Sequence, residues 1–93
     1  MAQFRSFSSV PKFSDTATLN PANIPAGQTS VETFTVTGLK TNNITLVEAP
    51  SLETGVSLIS ARCSANDTLE LVFWNYSGGA VNPASQDFLV VQI

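Results

Sequence analysis

From residue 14 onward, apolar and polar side chains alternate along the chain with a period of two, and this alternation constrains the fold most. Successive side chains of a β-strand point to opposite faces, so this period is typical of strands with one buried face. No window of about a dozen residues keeps the 3.6-residue period of an amphipathic helix. The sequence therefore predicts an all-β chain.

The predicted strands are separated by turn signals roughly every ten residues, which is typical of small antiparallel folds. The clearest strand covers residues 30–39; an Asn-containing turn follows at 40–43, and we expect residues 44–48 to return as the hairpin partner. Further strands are predicted at 15–19, 56–63, 68–76 and 87–93. The pattern favours a small antiparallel β-sandwich or partial barrel of about six to seven strands.

The 93 residues suffice for one domain. We assign residues 14–93 to a single β-sandwich and residues 1–13 to an extended N-terminal arm. The segment "FRSFSSVPKF" carries three of the six phenylalanines and shows neither helical nor strand periodicity. A free tail of this kind is normally disordered. Its high content of apolar side chains therefore indicates that the arm binds to a surface.

The arm residues predict a docking role. Phe4, Phe7 and Phe13 would anchor an extended segment in grooves on a partner, while Arg5 and Lys12 would pair with acidic groups there. Packing of the arm on its own domain, or its addition as an edge strand, stays open as an alternative.

Composition argues against several classes of function. The chain has only 12% charged residues and a net charge of −3, without a basic patch for the phosphates of a nucleic acid. No apolar run approaches the roughly 18 residues of a membrane span, and no signal peptide is recognisable. The single cysteine, Cys63, excludes an intrachain disulfide and agrees with folding in a reducing cytosol. We interpret Cys63 as a small buried apolar residue that shares a strand face with Ile59 and Ala61.

The residues that usually carry catalysis are missing or scattered. The chain has no histidine, the commonest general base and metal ligand. The carboxylates stand singly, at Asp15, Glu32, Glu48, Glu53, Asp67, Glu70 and Asp87. Their spacing resembles no calcium loop, and the one Gly pair precedes no predicted helix. We therefore predict no catalytic residue, no metal site and no cofactor, and we do not expect an enzyme.

Two predicted strands are apolar on both faces. In 68–76, the inner face carries Leu69, Leu71 and Phe73, and the opposite face carries Val72, Trp74 and Tyr76. In 87–93, Phe88 and Val90 oppose Leu89, Val91 and Ile93, so this strand is predicted to be buried on both sides. A two-layer sandwich covers only one face of each sheet, so something else must cover the other.

Three interpretations of these outer faces stay open. Loops or the arm could fold over them. Alternatively, they could meet further copies of the chain in a homo-oligomer. As a third possibility, Trp74 and Tyr76 could stack on sugar rings, as aromatic residues of carbohydrate-binding modules do, although Trp and Tyr are equally enriched as interface anchors.

The order of motifs resembles that of small β-rich virion proteins of tailed bacteriophages, especially marine and cyanobacterial phages. The stretches "TFTVTGL" and "SANDTLELVFWN" carry the resemblance, which spans about residues 28–93 and excludes the arm. It implies a structural virion component without an enzymatic site, assembled in the host cytoplasm.

Together, the residues and the resemblance lead us to expect a capsid decoration (cement) protein. Such a protein binds the outside of an assembled head and bridges neighbouring subunits of the major capsid protein, often as a trimer at local three-fold positions. Within structural proteins, the alternative is a tail, baseplate or fibre-associated subunit. From another class, the alternative is a virion-attached carbohydrate-binding module. Nucleic-acid and membrane partners are not expected.

Overall fold

A computed structural model describes residues 12–93, which contain six β-strands and no helix. The strands are β1 (Phe13–Leu19), β2 (Thr29–Thr35), β3 (Thr45–Glu48), β4 (Val56–Ala65), β5 (Thr68–Asn75) and β6 (Gln86–Gln92). They confirm the predicted all-β fold, and their number, six, lies within the predicted six to seven. No helix within residues 12–93 could cross a bilayer.

The strands form two three-stranded antiparallel sheets that pack as a small sandwich. One sheet has the order β1-β6-β3 and the other the order β2-β5-β4. Only β4 and β5 are both neighbours in sequence and partners in a sheet, so every other pairing joins distant parts of the chain. The central strands of the two sheets are β6 and β5, and each carries apolar side chains on both of its faces.

The core lies between the inner faces of the central strands. Phe73 of β5 and Phe88 of β6 are fully buried and meet edge to face, with ring centroids 6.3 Å apart and an interplanar angle of 74°. This geometry is the favourable one for two aromatic rings. The other buried apolar residues are Leu19, Ile24, Val36, Leu39, Val56, Cys63, Leu69, Leu71 and Val90.

The predicted hairpin between residues 30–39 and 44–48 is wrong. The structure pairs β3 with β6 in the opposite sheet. The chain leaves β2 after Thr35 because Val36 and Leu39 turn into the core and exchange main-chain hydrogen bonds with Asp67: Val36 N donates to Asp67 O, and Asp67 N donates to Leu39 O, both at 2.9 Å. Residues 36–44 therefore cross from one sheet to the other.

Strand β4 contains irregularities in its pairing with β5, between Leu58 and Ser60 and between Cys63 and Ala65. The first inserts Ile59 as an extra residue and reverses the side-chain alternation after it. Ala61 and Cys63 accordingly face the core side, opposite Leu71 and Leu69, as predicted. The prediction that Ile59 shares this face is wrong, since the bulge leaves its side chain 53% exposed.

Strand β6 is buried on one side in the single chain. Phe88 and Val90 on the inner face are fully buried, as the alternation predicts. On the outer face Leu89 is 39% exposed, so the prediction of burial on both sides is wrong for the isolated subunit. The sandwich has only two layers, and no third layer of the described chain covers this face.

Candidate interaction surfaces

The outer face of the β2-β5-β4 sheet carries a contiguous apolar surface, which we call the aromatic face and define by Val31, Val72, Trp74 and Tyr76. Val31 and Val72 are cross-strand partners. Trp74 and Tyr76 lie with ring centroids 5.2 Å apart at 49°. Val31 is 63% exposed, Trp74 43% and Tyr76 54%. Large aromatic side chains that remain this exposed are typical of interaction surfaces.

Short hydroxyl side chains flank the Trp74 ring. Thr29 of β2 and Ser57 of β4 are its direct partners on the two neighbouring strands. Cross-strand partners project from the same face of a sheet, so no bulky neighbour stands beside the indole in its own row. The ring is therefore accessible from above, with hydroxyl groups on either side.

A buried amide holds the end of β5 that presents the aromatic residues. Asn75 is fully buried, and its Nδ2 donates to Ile24 O and Gly79 O, each at 2.9 Å. Its Oδ1 accepts from Ser77 N at 2.9 Å and from Ser77 Oγ at 2.6 Å. This network ties the strand end to two loops, and it fixes the backbone between Trp74 and Tyr76.

Gly55, which directly precedes β4, supports the same strand end. Its φ is +89°, and Gly55 O accepts a hydrogen bond from Tyr76 N at 2.8 Å. A Cβ at this position would lie 2.8 Å from the Cβ of Ser77. Both the positive φ and the lack of space require glycine here.

We expect Gly55→Ala to lower the free energy of unfolding by about 2 kcal/mol, because alanine is strained at this φ and collides with Ser77. Urea denaturation followed by Trp74 fluorescence measures the loss. Gly79→Ala is the matched control, since an added Cβ there meets nothing within 4 Å. Equal losses in the two variants would contradict this role of Gly55.

At the other end of the aromatic face the surface becomes charged. Arg62 Nε donates to Glu70 Oε2 at 2.7 Å across the β4–β5 pair. The hydrogen bond from Arg62 lowers the pKa of the Glu70 carboxyl, and the bond to Glu70 raises the pKa of Arg62. This exposed ion pair marks the polar border of the aromatic face, and exposed pairs of this kind contribute little to stability.

The outer face of the other sheet is aliphatic, and we define this aliphatic face by Leu46, Leu89 and Val91. Leu46 of β3 and Val91 of β6 are cross-strand partners, and Leu46 is 53% exposed. Ile93 follows β6, where its N–H donates to Ile44 O at 3.1 Å. The predicted interaction residues thus divide between two outer faces: Val72, Trp74 and Tyr76 lie on one, and Leu89 and Val91 lie on the other.

Sequence reasoning missed Val31 and Leu46 as surface residues. For Val31 a signal was present, because period two places it on the same side as Thr33 and Thr35. For Leu46 the signal was misleading, because the outer side of β3 follows from its pairing with β6, which the local sequence does not specify.

The arm residues divide at position 12. Phe4, Arg5 and Phe7 lie outside the described residues. Lys12 is exposed, and its Nζ donates to Asn43 Oδ1 at 3.4 Å. Phe13, which was predicted as an arm anchor, is the first residue of β1: it pairs with Gln92 and packs against the core.

The described part of the chain contains no cluster of metal-binding side chains. Within residues 12–93, no three His, Cys, Asp or Glu side chains come together in a way that could hold a metal ion. Cys63 is buried, and its Sγ lies 2.8 Å from Ala65 O. The surfaces that stand out are therefore apolar faces.

Comparison of this chain with protein families, curated proteins and solved structures finds no match.

Proposed function

We propose that this protein is a structural component of a tailed-phage virion, namely a capsid decoration (cement) protein that binds the outer surface of the assembled head. The observation that supports this proposal best is the presence of apolar outer faces on both sides of one small sandwich. A free monomer gains nothing from two such faces, whereas a subunit packed between copies of itself and a larger lattice buries both.

In this proposal the aromatic face mediates self-association, because Trp and Tyr are the side chains that most often dominate interface energy. The favoured state is a trimer, which suits local three-fold positions of a head. The aliphatic face and the arm then turn toward the major capsid protein. Phe4 and Phe7 anchor in grooves between capsid subunits, and Arg5 and Lys12 pair with acidic groups there.

The stabilising mechanism is mass action. A protein that binds only the assembled lattice lowers the free energy of that state by RT ln(1 + [L]/Kd) for each site. No chemistry is required of the subunit. The scarcity of charged residues fits the proposal, because burying a charged group in an apolar interface costs free energy.

The arm offers a direct test of head binding. We expect a full-length variant carrying Phe4→Ser, Arg5→Ser and Phe7→Ser to lose at least about tenfold in affinity, or about 1.4 kcal/mol, because it removes both anchors and an orienting charge. Cosedimentation with heads that lack the protein measures the change. Lys40→Ser, which removes an exposed cation outside the arm, serves as control. Undiminished binding, or binding to tails in place of heads, would refute the proposal.

The self-association surface has its own test. We expect Val31→Asp to reduce the mass of the protein in solution to that of the monomer, because a carboxylate at the centre of the aromatic face must be desolvated on association. The fold should survive, since substitutions at exposed sites usually change stability by less than about 0.5 kcal/mol.

Sedimentation equilibrium over a range of concentrations measures the mass of each variant. Thr35→Asp is the matched control: Thr35 lies on the same strand and the same face, but pairs with Thr68 at the polar end. An oligomer that persists in Val31→Asp would assign self-association to another surface.

A second candidate function is glycan binding, favoured by the position of the Trp74 ring between the hydroxyl groups of Thr29 and Ser57. An indole stacks on the apolar face of a sugar, and flanking hydroxyls can bond to it. Retention of the protein on a polysaccharide column, abolished by Trp74→Ala without a change in oligomer mass, would favour this function over the interface.

A further inference from the structure

A groove opens between β3 and β4, where the two sheets meet at one side of the sandwich. It is open to solvent, with a volume of about 230 Å³. Val47, Leu58 and Ala61, which are only partly buried, form an apolar floor, and Leu46 and Ile59, each 53% exposed, form the rims. An apolar cavity of about 150 Å³ already accommodates a benzene molecule, so this groove has room for the ring of one phenylalanine.

The groove is also bordered by two sheet edges. β3 and β4 are each the last strand of their sheet, and among the described residues neither pairs with another strand on that side. Edges of this kind offer free N–H and C=O groups to an extended segment. An apolar floor beside a free edge is the combination that binds peptides by strand addition.

The described chain begins close to this groove. Lys12 N donates to Gln92 O at 2.9 Å, and Gln92 is the partner of Thr45, the first residue of β3. Lys12 Nζ reaches Asn43, two residues before β3. Two strand spacings, about 10 Å, therefore separate Lys12 from the start of β3.

The eleven residues that precede Lys12 are long enough to fill the groove. At about 3.3 Å per residue, three or four of them cover the distance to the outer edge of β3, and the rest exceed the roughly 13 Å length of that strand. β1 and β3 are both antiparallel to β6, so they run in the same direction. A segment that folds back from the start of β1 along β3 is consequently antiparallel to β3, as strand addition prefers.

The side chains of this segment match the groove. In an extended segment that ran along β3 after that crossing, Phe7 would lie opposite the middle of β3, above Val47 and Leu58. Arg5 would lie near Glu48, an exposed carboxylate at the far end of β3. Pro11 has no N–H to give to a neighbouring strand, which favours a change of direction there.

We propose that the chain's own residues 1–11 dock in the groove between β3 and β4, with the Phe7 ring on the apolar floor and Arg5 beside Glu48. In the free protein the arm is thereby held on its own subunit. Its binding to a capsid groove requires release from the groove between β3 and β4. Docking on the own subunit is independent of the proposed function, and its failure would leave head binding untouched.

Disulfide trapping in the full-length protein tests whether the arm docks in this groove. Cys63→Ser removes the native thiol, and serine keeps a donor for Ala65 O. Phe7→Cys combined with Val47→Cys should then form a disulfide within one chain, at least about tenfold faster than the control pair Phe7→Cys with Thr33→Cys, because only the first pair is held together. Thr33 is exposed on the outer face of the other sheet.

Non-reducing electrophoresis and mass spectrometry distinguish the outcomes. A disulfide within the monomer supports the proposal. Equal rates for the two pairs would overturn it, and so would a disulfide between two chains, which would assign the groove to the arm of a second copy.

Amide hydrogen exchange tests the same docking of the arm without introducing cysteine. Phe7→Ser in the otherwise unchanged chain should accelerate exchange of the β3 amides by about tenfold, the effect of losing about 1.4 kcal/mol of local protection, and should leave the β2 amides unchanged. Unchanged exchange in β3 would overturn the proposal even if the cysteine variants failed to fold.

Discussion

Phe88→Ala is expected to lower the free energy of unfolding by about 3–5 kcal/mol, the usual cost of removing a buried aromatic ring. Phe88 is fully buried at the centre of β6 and meets the edge or face of Phe73 from the opposite sheet. The loss removes both the burial of the ring and its contact with Phe73. A domain of this size has a total stability of about 5–10 kcal/mol, so the variant should be only marginally folded at 25 °C.

Urea denaturation measures this effect. With a slope of about 1 kcal/mol per molar urea, the midpoint should fall by about 3 M or more while the slope stays unchanged. Phe88→Leu should cost less, because it keeps most of the apolar volume. Thr16→Ala is the surface control: Thr16 is exposed on the neighbouring strand β1, and its loss should change stability by less than about 0.5 kcal/mol. A similar loss for Thr16→Ala and Phe88→Ala would contradict the assignment of the core.

Asn75→Ala is expected to cost about 3 kcal/mol and to loosen the loop after β5. The amide of Asn75 satisfies Ile24 O, Gly79 O and the backbone N–H of Ser77. Its removal leaves Ser77 N without an acceptor, while Ile24 O and Gly79 O each lose one of two donors and keep Val81 N and Ser77 Oγ. Each lost hydrogen bond costs about 1 kcal/mol, and a buried group left unsatisfied costs about 1–3 kcal/mol. Amide exchange of residues 77–81 should accelerate, and Tyr76 should lose its fixed position beside Trp74.

Thermal denaturation and amide exchange measure the two effects. Asn82→Ala is the matched control, because Asn82 is exposed in the same connection. Asn75→Asp adds a test of charge, since a carboxylate facing two carbonyl oxygens would have a raised pKa in the folded state. The unfolded state then binds fewer protons, so the stability of Asn75→Asp should fall as the pH rises above the ordinary range of a carboxyl group. A stability of Asn75→Asp that does not depend on pH would contradict the proposed donor role of the amide.

The two outer faces give these stability predictions a functional meaning. Phe73 and Phe88 face each other inside, while Trp74 and Leu89, the next residues along the same strands, point to opposite outer faces. A rigid core thus holds the aromatic face on one side and the aliphatic face on the other. Loss of the core would remove both surfaces together, whereas Val31→Asp removes only one.

The sequence predicted the strands and their inner faces well, because side-chain alternation is a local property. Leu69, Leu71 and Phe73 are buried in β5 as predicted. In β6, Gln92 continues the alternation of Phe88 and Val90 and lies on the inner side of the strand. There it is fully buried, and it bonds through its amide to both main-chain groups of Lys40.

Pairing between strands could not be predicted in the same way. The sequence of residues 44–48 predicts the return strand of a hairpin. The actual pairing depends instead on Val36 and Leu39, which enter the core and bond to Asp67, 31 and 28 residues further along the chain. The bulge at Ile59 is likewise set by the register with β5, and it turned a predicted inner residue outward.

Alternation by itself determined that this chain is all-β, which residues face the core, and that more apolar surface exists than two layers can bury. Only the tertiary structure decided where that surface lies: Trp74 and Tyr76 on one side, Leu46, Leu89 and Val91 on the other, with a groove between β3 and β4. The physical reason is that the direction of a side chain within a strand depends on its immediate neighbours in sequence. Which other side chains lie beside it on a sheet face depends on pairing between residues far apart in sequence.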